Sequence, residues 1–83
     1  MKKYIIFNLD YPVQTPIGTL PQICAICDTQ NEAFKEIREI IKCFNDTNAY
    51  DDYLAIDNYK ELVDKINSED SEILMKIWEW EPM

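Results

Sequence analysis

Few residues in this chain can do chemistry, and their spacing limits what that chemistry can be. Histidine, whose pKa near neutrality suits it to proton transfer, is absent, so Ser-His-Asp and Cys-His arrangements are excluded within one chain. The only serines, Ser68 and Ser71, fall in the polar run Ser68-Glu69-Asp70-Ser71, and Gly18 is the sole glycine, so no glycine-rich phosphate loop can form. Cys24-Ala25-Ile26-Cys27 has the C-x-x-C spacing of redox and zinc sites. Its residues read as a strand, however, and three positions along a strand turn two side chains to opposite faces, where without a bend they share neither a metal nor a disulfide. Cys43 adds a third sulfur, but a tetrahedral zinc site without histidine would still need a carboxylate or another chain.

Residues 46–57 have the length of an EF-hand loop, with Asp46, Asn48, Asp52 and Asp57 at its first, third, seventh and twelfth positions. The match then fails. Asp51 stands where that loop needs glycine for its sharp turn, Tyr50 occupies a ligand position, and Asp57 is shorter than the usual closing glutamate. The expectation is a solvated acidic loop, with no metal and no cofactor.

The elements that must position these groups can be read from punctuation and periodicity. Eighty-three residues make a single domain, 1–83, with 47% apolar residues and no low-complexity stretch, a globular composition. Lys3 to Asp10 is rich in β-branched and aromatic types and predicts a strand with Ile5, Phe7 and Leu9 on one face. Pro12, Pro16, Gly18 and Pro21 then predict a loop or wide hairpin tip, with Thr15-Pro16-Ile17-Gly18 as its turn. Gln22 to Asp28, apolar throughout, predicts a second strand, central and buried on both faces.

Thr29-Gln30-Asn31-Glu32 has capping-box spacing, and Ala33, Phe34, Ile37, Ile40, Ile41 and Phe44 recur at three and four behind it, predicting a helix over 30–45. Asn58 caps a second helix over 58–67, with Tyr59, Leu62, Val63 and Ile66 as its apolar stripe. Glu72 to Trp80 alternates Ile73, Met75 and Ile77 against Leu74, Lys76, Trp78 and Trp80, which predicts a third strand. The order β-β-α-α-β implies an α+β fold in which two helices pack on one face of a three-stranded antiparallel sheet.

Charge is distributed unevenly. Residues 1–45 carry five bases and five acids, so the whole net charge of −8 lies in residues 46–83. There Asp46, Asp51, Asp52, Asp57, Glu61, Asp64, Glu69 and Asp70 form the larger part of an acidic set opposed only by Lys60, Lys65 and Lys76. Such a field repels a phosphate backbone and attracts basic surfaces, so direct nucleic-acid binding is not expected; the acids make either a soluble, self-repelling surface or one that competes with nucleic acid for a basic groove.

The aromatic C-terminus is the second candidate surface. If Ile73, Met75 and Ile77 face the helices together with Ile5, Phe7 and Leu9, then Tyr4, Ile6, Leu74, Trp78 and Trp80 line the opposite side. Two helices cannot cover both faces. Either Tyr4, Trp78 and Trp80 form an exposed partner-binding surface, or the proline-containing segment with Tyr11, Val13, Ile17 and Leu20 folds across them.

The expected function is therefore a non-catalytic, acidic protein-interaction module, since a chain of this size buries only ~60% of its unfolded surface and has little room for a deep catalytic pocket. The expected partner is a larger protein with a basic, nucleic-acid-handling surface. Size, acidity and a lysine- and isoleucine-rich composition fit the broad class of small phage or mobile-element inhibitors of host defence, anti-CRISPR proteins among them, at the level of class analogy. The alternative is a self-associating structural or regulatory subunit, a homodimer joined through the Trp-bearing face. The apolar run after Met1-Lys2-Lys3 stops short of the ~7 residues an export signal needs, and no run approaches the ~20 that span a bilayer. With an odd number of cysteines, a cytoplasmic protein with reduced thiols and no membrane contact is expected.

Overall fold

A computed structural model describes residues 2–43 and 48–81, with backbone alone at residues 10–13 and 21. It contains β1 (Lys3–Thr15), β2 (Gly18–Cys27), α1 (Gln30–Cys43), α2 (Asp51–Leu54), α3 (Tyr59–Asn67) and β3 (Met75–Trp80). The strands form one antiparallel sheet in the order β2-β1-β3, and the helices pack on one face of it. The expected α+β architecture is present, with one short helix more than the two expected.

The long helices start where their capping residues stand. Thr29 Oγ1 accepts from the Glu32 N–H (3.1 Å), and the Glu32 carboxylate reaches back to accept from the Asp28 N–H (3.3 Å). At α3 the Asn58 side chain accepts from the Glu61 N–H (2.9 Å). Ala33, Ile37 and Ile41 of α1 and Leu62 and Ile66 of α3 are buried against the sheet, each large aliphatic contributing about 1.5–3 kcal/mol. Residues 44 and 45, expected to extend α1, lie outside the described residues.

β1 is the central strand, and its alternation is opposite in sense to the expected one. Tyr4 and Ile6 join Cys27, Met75 and Ile77 in the core under the helices, and across the sheet Ile6 stands beside Ile77 and Tyr4 beside Glu79. Ile5, Phe7 and Leu9 therefore line the outer face. Both sides of β1 are apolar, so periodicity alone does not tell inside from outside. The helix layer selects Tyr4 because its ring packs edge-on against Tyr59 of α3 (centroids 5.7 Å apart).

β2, expected to be central, is instead an edge strand, with Ile23 and Ile26 exposed by 52% and 61%. The both-faces-buried character belongs to Tyr4-Ile5-Ile6 of β1, which has a neighbour on each side. A bulge in β2 sets Ile6 opposite Ala25 and Phe7 opposite Ile23, leaving Cys24 as the extra residue. The added residue lets Ile23 and Ile26, three positions apart, occupy the same outer face.

The proline-punctuated segment is not a separate loop. It continues the β1–β2 hairpin as a two-stranded arm beyond the reach of β3, with an irregular ladder between Asn8 and Val13 and a turn at Pro16-Ile17. Gly18 takes φ of +133° there, a conformation that side chains disfavour, and Ile17 at the tip is 88% exposed. The arm does not bury the sheet's outer face, where Trp78 and Trp80 remain 55% and 47% exposed.

The short helix α2 has no side-chain cap at its start and is held from outside. The Arg38 guanidinium, over the Phe34 ring at 5.5 Å, donates to the carbonyls of Leu54 (2.7 Å) and Ile56 (3.0 Å), satisfying groups a helix C-terminus leaves open. Tyr53 buries its ring, and its hydroxyl lies 3.3 Å from Ser71 Oγ and accepts from the Glu72 N–H (3.2 Å).

The two faces give a direct test. Ile6→Ala is expected to lower the unfolding free energy in urea by about 2–5 kcal/mol, whereas Ile26→Thr changes it by less than about 1 kcal/mol at low protein concentration. Equal losses at the two positions would contradict the face assignment.

Candidate interaction surfaces

The cysteines do not assemble. Cys27 is buried, whereas Cys24 and Cys43 are exposed, and all three are free thiols. Burial pushes the Cys27 thiol above its ordinary pKa, with further contributions from the charges of Glu36, Glu32 and Asp28, which is the opposite of what an activated thiolate requires. The EF-hand-like spacing is interrupted by α2, which takes Asp51 and Asp52 into a helical turn. Asp46 lies outside the described residues, and among those described no group of three or more His, Cys, Asp or Glu is placed to hold a metal.

The acidic candidates lie on the helical layer. Asp51, Asp52, Asp57, Glu61, Asp64, Glu69 and Asp70 are all exposed. Asp51 and Asp52 form the first turn of α2, where the helix dipole favours negative charge, and Glu61 and Asp64, three apart on α3, share one side of that helix. Asp64 and Asp70 line a common depression of about 340 Å³ around Tyr53, together with Lys65 and Ser68. Ion pairs among the described residues are Lys2–Glu79, Lys3–Asp28 and Lys42–Glu39. Asp52, Asp57, Glu61, Asp64, Glu69 and Asp70 take part in none of them.

The aromatic surface has a different membership from the expected one. Tyr4, expected on it, is 7% exposed and belongs to the core. Trp78 and Trp80 are on it, joined by Ile5, Phe7, Ile23 and Ile26, which the alternation of β1 and the bulge at Cys24 bring there. An apolar row, Ile26–Ile5–Trp78, crosses the three strands, and beside it the pair Ile23–Phe7 ends at Lys76. The Phe7 and Trp78 rings stack at 6.3 Å with planes 29° apart. Lys3, opposite Trp80, pairs with the Asp28 carboxylate at the rim.

The two surfaces lie on opposite sides of the sheet, since the acids ride on α2, α3 and their connections and the Trp-bearing face is the sheet's other side. Along β3 they approach each other, at an open groove of about 550 Å³ lined by Tyr59, Asp64, Trp78 and Glu79 among others. Tyr59 donates its hydroxyl hydrogen to Glu79 Oε1 (3.1 Å), whose second oxygen lies 3.5 Å from Lys2 Nζ. Burial, then the Glu79 charge and its hydrogen bond, push the Tyr59 phenol well above the usual tyrosine value.

The chain matches no known protein-family model, no curated protein and no solved structure. No helix among the described residues is long and apolar enough to cross a membrane.

The Tyr59 environment sets a pH dependence. A phenol whose folded pKa exceeds its unfolded one, ~10, keeps its proton in the fold after the unfolded chain has lost it. Its contribution to stability is therefore complete below ~10 and declines as the pH rises above that value. Ultraviolet titration should show a tyrosine component that does not ionise near ~10 until the protein unfolds, and Tyr59→Phe should remove that component. Normal ionisation of all five tyrosines in the folded protein would contradict it.

Proposed function

We propose that this protein is a non-catalytic interaction module whose acidic helical layer occupies a basic, nucleic-acid-handling surface on a larger protein. The observation that carries this reading is the state of the carboxylates. Asp52, Asp57, Glu61, Asp64, Glu69 and Asp70 are exposed and outside the internal ion pairs, so their charge is directed outward. A carboxylate array on a rigid helical scaffold offers lysines and arginines the same electrostatic partner that a phosphate backbone does, which makes the protein a competitor for that groove rather than a ligand of nucleic acid. Small size, strong acidity and composition support placing it with inhibitors carried by mobile elements against host defence, of which anti-CRISPR proteins are one kind. The cytoplasm, where such targets operate, is the corresponding location.

A second reading, a homodimer, is favoured by one specific observation: the apolar face opposite the helices carries Trp78 and Trp80 uncovered.

The acidic reading is tested by affinity capture from the encoding organism, eluted along a salt gradient and identified by mass spectrometry. A basic nucleic-acid-binding protein free of its nucleic acid is expected at moderate salt. Combined Asp52→Asn, Asp57→Asn, Glu61→Gln and Asp64→Asn substitution is expected to weaken that complex by roughly tenfold or more, mostly through slower association. An affinity indifferent to both salt and these substitutions would overturn the reading.

A further inference from the structure

We infer that the outer sheet face is the seat of a two-fold dimer in which two copies stack sheet on sheet and turn their acidic helical layers in opposite directions. This rests on reading that face as a contact surface, and four features of the molecule choose the occupant and the mode.

The first is the state of the sheet edges, the other route by which strands associate. On β3, the Asn67 side chain donates to the Ile77 carbonyl (2.9 Å) and accepts from the Ile77 N–H (3.0 Å), so a side-chain amide fills the place a further strand would take. On β2, Pro21 supplies no N–H and the bulge at Cys24 breaks the ladder. Both edges are blunted while the face is left open, which directs association to the face.

The second is charge. The charged side chains on that face among the described residues are Lys3, Asp28 and Lys76, and Lys3 and Asp28 pair with each other. A nearly neutral apolar surface on a chain of net charge −8 has nothing to select a strongly charged partner. On this face two such chains can meet with their acids apart. Sheets stack ~10 Å apart and each helical layer adds ~10 Å, so the acidic surfaces end up ~30 Å from each other, about three screening lengths at 0.1 M salt.

The third is self-complementarity. In the row Ile26–Ile5–Trp78, the β3 end carries a large ring and the β2 end a smaller aliphatic side chain. A two-fold axis passing near Ile5 sets Trp78 of each copy over Ile26 of the other, large against small, as an isologous interface demands.

The fourth is size. Three strands paired over six residues make a face of roughly 15 by 20 Å, smaller than the ~800 Å² per partner of standard interfaces. The dimer is consequently a weak one, dissociating in the micromolar range or above. Combined with the acidic layer, it makes the protein bivalent, able to hold two basic partners at once.

The experiment is sedimentation velocity on the full chain in reducing buffer, from micromolar to about millimolar. Wild type is expected to pass from monomer to dimer with rising concentration, while Trp78→Glu and Ile26→Lys are each expected to stay monomeric with unchanged circular dichroism. Mixing those two variants is expected to restore a dimer, because the axis brings Glu at 78 of one chain against Lys at 26 of the other. Wild type that stays monomeric throughout would overturn the inference, as would a dimer that survives both substitutions or a mixture that fails to associate. None of these outcomes depends on the carboxylates of α2 and α3, whose partner binding is read separately, so either proposal can fail without the other.

Discussion

One layer of helices can keep only one side of a sheet dry, and the rest of this molecule follows from which side that is. β1, the strand with a neighbour on each flank, presents Tyr4 and Ile6 to the helices. Ile6, Ile37, Ile41, Leu62 and Ile66 then close a core from which water is excluded, the main favourable term in a fold of this size. The same choice commits Ile5, Phe7, Ile23, Ile26, Trp78 and Trp80 to the other side. Among them Ile5 is shielded by its neighbours across the ladder, Ile26 and Trp78.

Charge is segregated along the same axis. The helical layer carries the outward carboxylates, and two of the cations near it are committed to other tasks: Arg38 ties α2 to α1 through the Leu54 and Ile56 carbonyls, and Lys65 lies over the Tyr53 ring at 4.9 Å. The opposite face is apolar with a single ion pair at its rim. Such a molecule has two chemically distinct sides that one flat partner cannot cover together. On the proposed reading, an electrostatic contact through the helices and an apolar contact through the sheet would be separate events with opposite sensitivities, since salt weakens the first kind and leaves the second largely intact.

Much of this was legible in the sequence where a residue type has one physical use. Thr29, Glu32 and Asn58 mark helix starts because a short polar side chain before an apolar stripe is the cheapest partner for orphan amides. Ile73, Met75 and Ile77 face inward, as a shared face at period two requires. Legibility failed where two uses compete. Tyr4 reads as an interface residue, but a tyrosine at the margin of a core can bury its ring against Tyr59. The apolar run of β2 reads as a central strand, yet the bulge at Cys24 moves its isoleucines to an exposed face. The four residues of α2 carry no capping signal, because that helix is fixed by Arg38 on another element, a long-range contact that local pattern does not encode. Asp52, Asp57, Glu61, Asp64, Glu69 and Asp70 are exposed, as an acidic surface requires.

The acidic helices and the apolar sheet face, on opposite sides of one sheet, are proposed as contact surfaces that act independently of each other. Amide chemical-shift mapping by NMR separates them, in one series that raises protein concentration and a second that adds polylysine to dilute protein. Concentration is expected to move the amides of Ile5, Phe7, Ile26 and Trp78, and the polycation those of Asp52, Asp57, Glu61 and Asp64, with little overlap between the sets. Shifts that appear on the same residues in both series, or that centre on Tyr4 and Ile6, would contradict it.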